Sequence, residues 1–568
     1  MSALAPFSAA PLSALWTQAT PETAAVLGPA DLVGGEAVWM LRLGVGGATG
    51  EPAPAPLGMM AGGPFGAPDR PADLAGTAPE IRVSDRGWIG EPDDAAAPNQ
   101  MWPARMMEAP ALEYLLPVLP EASRRRVVTV GEVRLANGDG ALDYLAGDWR
   151  VRGQPVTLLR GPHRRPRHAA LSDFVVVARL RARGAASGTV RLTLPVQDPG
   201  ADLSVPLAPL YAGTGGAEGS ADLAGTPKPV LFGIKRRIEP VLVDPARYIY
   251  QIHDGAIEDV LAVRDRGAPL TDVGDSLSYA ALEAFVPSAG QYRTCLAAGM
   301  VRVEPAGSGG VSLLTVDARG STAQGGYSAG TPASIARKLL LGPGGLSASA
   351  LVDDAFGSWP VGEAGLYLRG GTVAQAMDAL AAGVAGWWGA DRLGQYDGSQ
   401  VAAPEGVAPA WVIQPWMLRA PPEEGGAPNP PRWRTTVGYA APGRVMRAED
   451  LAGSVSAADR DAWGKEYLPA VAFDATVRAT YPLAEEAPDL ISVFDQESDA
   501  AALAASLQAL HGVPRREWRV PINRAGLAVQ PGSALRLTWP RHGLAGGRTL
   551  LARGISIRGD RAELLLWG

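Results

Sequence analysis

The stretch Lys228-Pro-Val-Leu-Phe-Gly-Ile-Lys-Arg-Arg-Ile-Glu-Pro-Val-Leu-Val-Asp-Pro-Ala-Arg-Tyr-Ile-Tyr-Gln-Ile-His-Asp-Gly255 lies just before the middle of the 568-residue chain and joins two compositional regimes. Val230 to Ile234 and Ile238 to Val243 read as short β-branched and aliphatic strands, broken by Gly233, Pro240 and Pro245. Tyr248, Tyr250 and Ile252 alternate on one face of a third strand. Such a chain commits bulky apolar side chains to one side and turns every few residues. Lys235, Arg236 and Arg237 fall between two apolar runs and cannot all be buried. They mark a solvated turn, a sheet edge or a surface pressed against acidic groups.

Composition extends this β-rich, turn-rich reading to the whole chain. The 70 Gly and 50 Pro follow no three-residue period, which excludes collagen and leaves a turn-rich globular protein. The length allows about three to five domains, each able to bury a core. A net charge of -7 with no long basic block gives no electrostatic reason for tight nucleic-acid binding along one face. Transient contact with passing nucleic acid is compatible with it, because a channel wall should avoid strong attraction. The single Cys295 excludes an intrachain disulfide and a Cys-based metal site, so packing or oligomerisation must supply stability. No run of about eighteen apolar residues occurs, so no integral membrane anchor is expected. The N-terminus lacks a basic n-region, and synthesis in the cytoplasm without ordinary secretion is expected.

Along the chain, Ala37 to Val45 reads as a strand, and Glu51 to Pro79 as a long Ala-, Gly- and Pro-rich loop or linker. Four prolines between Met101 and Pro120 rule out a long helix there but allow short extended pieces. Arg126 to Leu135 is the clearest β unit of the N-terminal half, with a phase change near Gly131 that predicts a bulge or bend. Leu142 to Trp149 predicts a short helical turn, and Gln154 to Leu159, Phe174 to Leu180 and Thr189 to Leu194 predict strands. Helices come late and short. Thr331-Pro332 opens one through Leu341, a second runs from Thr372 to about Ala382, and a third starts at Ser498 and ends at Gly512. The last forty residues alternate strand and turn to the end.

Catalytic signatures are weak. His163, His168, His253, His511 and His542 form no paired cluster of the kind a zinc hydrolase carries on one helix face. His253 and Asp254 are adjacent strand residues that point to opposite faces, so a structural hydrogen bond explains His253 better than catalysis. Gly213 to Gly219 and Leu341 to Gly345 lack the Gly-Lys-Ser/Thr ending of a phosphate loop. Asp353 with Asp354, and Glu485 with Glu486, are adjacent in sequence, which does not place them across a scissile bond. No Gly-x-Ser-x-Gly is present, and Cys295 has no thiol-nucleophile signature. Trp387, Trp388 and Asp391 form the one suggestive groove, which aromatic core packing explains equally well. No catalytic residue, metal or cofactor is expected.

Two segments carry a family resemblance. Lys228-Pro-Val-Leu-Phe-Gly, Pro240-Val-Leu-Val-Asp-Pro, Tyr250-Gln-Ile-His-Asp-Gly255 and Asp265-Arg-Gly267 form the first; Val529-Gln-Pro-Gly532, Leu535-Arg-Leu-Thr538, Gly543-Leu-Ala-Gly-Gly-Arg548 and Glu563-Leu-Leu-Leu-Trp-Gly568 form the second. Both resemble tail-tip or baseplate hub proteins of long-tailed bacteriophages, prophages and gene transfer agents. Arg82 to Gly87, Glu132 to Asp143 and Gly153 to Thr157 add to the match.

The resemblance implies a mainly β, multidomain fold with smaller α/β parts: two tube-like β-barrel domains and mixed middle domains. On this chain it implies an N-terminal segment with a Gly/Pro-rich linker over 1–79 and a first tube-like domain over 80–225. A β-rich middle domain over 226–330, a mixed α/β domain over 331–439 and a C-terminal tube-like domain over 440–568 follow. It further implies a structural hub, commonly a homotrimer, that joins tail-tube proteins to tip or fibre proteins and helps form the DNA exit channel of a particle assembled in the bacterial cytoplasm. Lys235, Arg236 and Arg237 are then expected at a subunit contact or facing the lumen. The alternative reading is a cell-wall-degrading or glycan-binding tip module built on Trp387, Trp388 and Asp391.

Overall fold

The computed structural model describes residues 37–44, 80–119, 124–146, 151–163, 169–306, 310–327, 330–523, 526, 529–559 and 561–568. Apart from the strand Ala37–Gly44, the expected segment 1–79 lies outside these residues, as do Trp149 and His168.

The N-terminal sheet starts from Pro155–Pro162, which pairs antiparallel with Ala37–Gly44 on one side and Val175–Ala182 on the other. Ala37–Gly44 then pairs with Glu80–Ser84. Val175–Ala182 pairs with Arg191–Gln197, followed by Glu132–Ala136 and Met106–Glu108. Both ends of this path reach one short segment. Ser84 N donates to Pro103 O at 2.9 Å, and Ala136 N donates to Arg105 O at 2.6 Å. The sheet therefore rolls into a nearly closed barrel, which removes exposed strand edges. Period-two alternation sends Leu41, Leu43, Val133, Leu135, Leu192 and Leu194 inward, all at 0% exposure.

One hairpin ties this barrel to the rest of the molecule. Its first arm runs from Met106–Glu108 to Leu112–Leu115, and its second from Val127–Val130 to Glu132–Ala136. The barrel holds only the outer part of each arm. The other part enters a second eight-stranded sheet, where Leu112–Leu115 pairs with Arg548–Arg558 and Val127–Val130 pairs with Leu112–Leu115. The bend predicted at Gly131 is the crossing point. Gly131 N donates to Ala111 O at 2.8 Å, and a Cβ there would lie 3.2 Å from Ala111 N.

The second sheet adds Trp411–Ile413, Ala534–Leu537, Arg561–Trp567, Arg515–Ile522 and Glu423–Asn429. Its Trp518, Val520, Ile522, Ile557, Leu564 and Leu566 share one continuous apolar core with Leu41, Leu135 and Leu194 of the barrel.

Two five-stranded sheets form the middle. The break expected at Gly233 is absent, since Val230–Ile238 is one strand with an irregular register between Lys235 and Ile238, whereas the breaks at Pro240 and Pro245 are present and bound the separate strand Val241–Asp244. Gly233 sustains the strand rather than ending it. Its φ is +68°, and a Cβ there would sit 1.9 Å from Ala364 O, so only glycine fits. The three expected helices are present as Pro332–Leu341, Val373–Gly383 and Glu497–His511. The Thr331 and Thr372 hydroxyls cap the first two, accepting from Ser334 N and Gln375 N. Ile335, Leu339, Met377, Leu380, Leu503 and Leu507 pack into one further core around Trp388 and Phe356.

The fold is thus mixed α/β, with one nearly closed barrel and several mixed sheets. Of the two tube-like barrels expected, one barrel-like sheet is evident; the second eight-stranded sheet is built from three separated parts of the chain and is not a self-contained C-terminal unit.

Leu112→Ala removes a side chain that is 1% exposed at the seam between the two sheets. Urea denaturation should show a loss of about 2–5 kcal/mol. Tryptophan fluorescence and far-UV dichroism should shift together; separate transitions would show the two sheets to be independent.

Candidate functional site

The basic triplet is held by the chain's own carboxylates. Arg236 makes a bidentate pair with Asp495, Nε to Oδ1 at 2.7 Å and Nη2 to Oδ2 at 2.6 Å. The Asp495 side chain is only 6% exposed. Asp317, equally buried, accepts from Arg237 N at 2.7 Å and from Arg264 Nη1 at 2.8 Å. The Arg237 and Arg264 guanidinium groups lie over the Trp463 ring at 5.8 and 5.5 Å. Half-buried Lys235 loses hydration, which draws its ammonium down to about 8 against the opposing pull of Asp495. Of the three sequence readings, the surface pressed against acidic groups describes this site; the solvated turn does not, because the triplet lies inside a strand.

Trp387 and Trp388 are 4% and 0% exposed, so neither offers a ring face to a sugar. Segment 124–126 joins their hairpin through an isolated bridge between Arg125 and Trp388, with Trp388 N donating to Arg124 O at 2.9 Å and Arg126 N donating to Trp388 O at 2.7 Å. Asp378 accepts from Trp388 Nε1 at 2.8 Å and from Arg125 Nη2 at 2.7 Å. Arg125 and Arg126 cover the Trp388 and Trp387 rings at 4.9 and 4.7 Å. Asp391 Oδ1 accepts from Leu393 N and Gln395 N at 2.8 and 2.9 Å, which makes it a turn-capping group. Of the two readings of this segment, core packing of the aromatics describes it, and the groove of the alternative reading is a packed junction. The arginine run at 124–126 was its one signal in the sequence, and nothing there named Asp378 as the partner.

A cavity of about 110 Å³ opens beside Leu116, Trp387, Val407, Gly532 and Leu551. Ligand pockets usually span about 300–1,000 Å³, so this space is too small for a sugar chain. Among the described residues, no group of three or more His, Cys, Asp or Glu side chains is placed to hold a metal ion. Cys295 is a buried free thiol.

No protein-family model matches the chain, and no curated protein matches it. Several solved structures are similar to it at low identity. A tail protein from Neisseria meningitidis MC58 is 10% identical, with 81% of this chain and 92% of that chain covered and a TM-score of 0.36. The 43 kDa tail protein of prophage MuSo2 from Shewanella oneidensis is 11% identical over 81% and 92%, at 0.32. A chain of a native gene transfer agent virion is 16% identical over 60% and 84%, at 0.37. These similarities are to two tail proteins and a virion chain.

His253 is 5% exposed, and its Nδ1 accepts from Leu231 N at 3.0 Å, so the neutral ring serves the fold. Burial lowers its pKa from 6.5 to about 4. The folded value lies below the unfolded one, so this contribution is complete above about pH 6.5 and is lost as pH falls toward 4. Thermal melts across that window should show a decline that His253→Gln flattens; parallel pH profiles would sink the assignment. Asp495→Asn should cost roughly 1.5–3 kcal/mol in chemical denaturation, because it leaves the Arg236 pair without its anionic partner.

Proposed function

We propose that the chain is a structural hub of a phage-like tail tip or baseplate, joining the tail tube to distal tip or fibre proteins around a DNA exit channel. The observation that carries this reading is the pair of eight-stranded sheets fused by one hairpin over one apolar core. In this reading the second sheet serves beside the barrel as a second tube-like unit, so that three copies present six, which adapts a sixfold tube to a threefold tip.

The second sheet has the makings of the second tube-like unit. Trp411–Ile413 runs parallel to Ala534–Leu537, and a few residues later Leu418 bridges to Ile522, with Arg419 N donating to Pro521 O at 3.0 Å. Segment 411–419 thus spans from one strand of the sheet to another and draws it toward closure. The resemblance segments Val529 to Gly532, Leu535 to Thr538 and Glu563 to Gly568 lie in or beside this sheet. In this reading residues 80–225 and 440–568 supply most of the two tube-like units, 226–330 and 331–439 form the middle, and Arg236 and Arg237 brace the subunit internally.

Light scattering on the purified chain should return three times the monomer mass, and averaged images of particles should place the ring at the distal end of the tail tube. A chain that stays monomeric at high concentration and is missing from isolated particles removes the reading. Asp391→Asn should leave peptidoglycan release by such particles unchanged; a selective loss would favour a wall-degrading tip instead.

A further inference from the structure

The net charge of -7 conceals a sharp division along the chain. Residues 512–568 contain ten arginines and three carboxylates, a balance of +7, whereas residues 449–499 contain twelve carboxylates and three basic residues, a balance of -9. Two neighbouring stretches of one chain therefore carry strong, opposite charge.

The acidic stretch also exposes an apolar face. Leu468–Phe473 pairs with Arg432–Tyr439 so that Pro469, Val471 and Phe473 stand opposite Gly438, Thr436 and Arg434. Ile491 stands beside Gly438 from the other side. Cross-strand partners share a face, so Val471, Phe473 and Ile491 lie together. Their exposures are 43%, 69% and 49%, and Leu483 nearby reaches 84%. The opposite face, with Val437, Ala470 and Leu490, is packed into the helix-lined core. Exposed Glu466, Glu485, Glu486 and Asp489 accompany the apolar residues on the same short sheet and its loops. Pro469 lacks an N–H on this edge strand, so the patch is suited to contact through its face rather than to strand addition.

The basic stretch has unspent charge. Arg519, Arg541, Arg558 and Arg561 are exposed and make no ion pair among the described residues. Arg558 and Arg561 stand directly opposite each other across a hairpin, an unfavourable like-charge pair that an external carboxylate would relieve. Within one chain, no ion pair among the described residues joins these arginines to the carboxylates of 466–491.

We propose that the apolar, acid-bordered face of 468–491 docks on the arginine-rich C-terminal sheet of a second copy of this chain. Each copy offers both surfaces, so the contact is head-to-tail, and it closes into a ring when the rotation allows. Apolar area supplies the attraction, and the opposite charges select the partner and its register. The inference rests on the homotrimer reading and names the surfaces that would make it.

The experiment is sedimentation of the full chain over a concentration series. Wild-type mass tests the homotrimer reading by itself. The pair Glu466→Lys with Glu485→Lys, and separately Arg558→Glu with Arg561→Glu, should each weaken association by at least about tenfold. The quadruple variant should recover most of that loss. Phe473→Ser, at an exposed site, should weaken association with unchanged melting temperature. If the reversed pairs assemble as wild type does, or the quadruple variant fails to recover, these surfaces are wrong while the trimer reading stands. A wild-type chain that is monomeric at every concentration overturns both.

Discussion

The crossing of one hairpin between two sheets is the constraint on which this architecture depends. Both arms change sheets at the same level, near Ala111 and Gly131, where the backbones approach closely enough that a side chain at 131 would press on the partner strand. A ladder of backbone hydrogen bonds cannot slip by one residue without turning every inward side chain outward. The hairpin therefore fixes the register of the barrel and of the C-terminal sheet together, and the shared core of Leu112, Tyr114, Leu135 and Ile555 makes the two sheets one packing unit.

Around that unit, the middle of the molecule is positioned by ion pairs between distant parts of the chain. Arg125 meets Asp378, and Arg236 meets Asp495, across separations of 253 and 259 residues. Partly buried pairs of this kind contribute modestly to net stability because both partners lose hydration, but leaving one partner unpaired is costly. They act chiefly as selectors of one arrangement. The tryptophans follow the same logic: Trp388 and Trp463 are stacked by guanidinium groups and serve as fixed points between elements.

Much of the local structure was legible because its causes are local. A Thr-Pro start specified the helix at 332–341, and the broken phase near Gly131 announced a bend. What stayed hidden was the partner of each local feature. The basic residues at 235–237 interrupt an apolar run and so imitate a turn, yet Asp317 and Asp495 hold Arg236 and Arg237 inside a strand, and neither acid is near them in sequence. Trp387 and Trp388 imitate a sugar-binding pair, since burial of an aromatic depends on what folds over it. Closure of the barrel was equally unreadable, because it requires Ser84 and Ala136 to meet the same short segment.

The hairpin also sets an order of events during synthesis. Its half at 112–130 is made first, and the strand that completes it, Arg548–Arg558, follows only about four hundred residues later. At about 5–20 residues per second, the nascent chain holds an unpaired apolar edge for tens of seconds. During that interval a neighbouring nascent copy could supply the missing strand, so cover of that edge by a chaperone becomes a requirement of the topology itself.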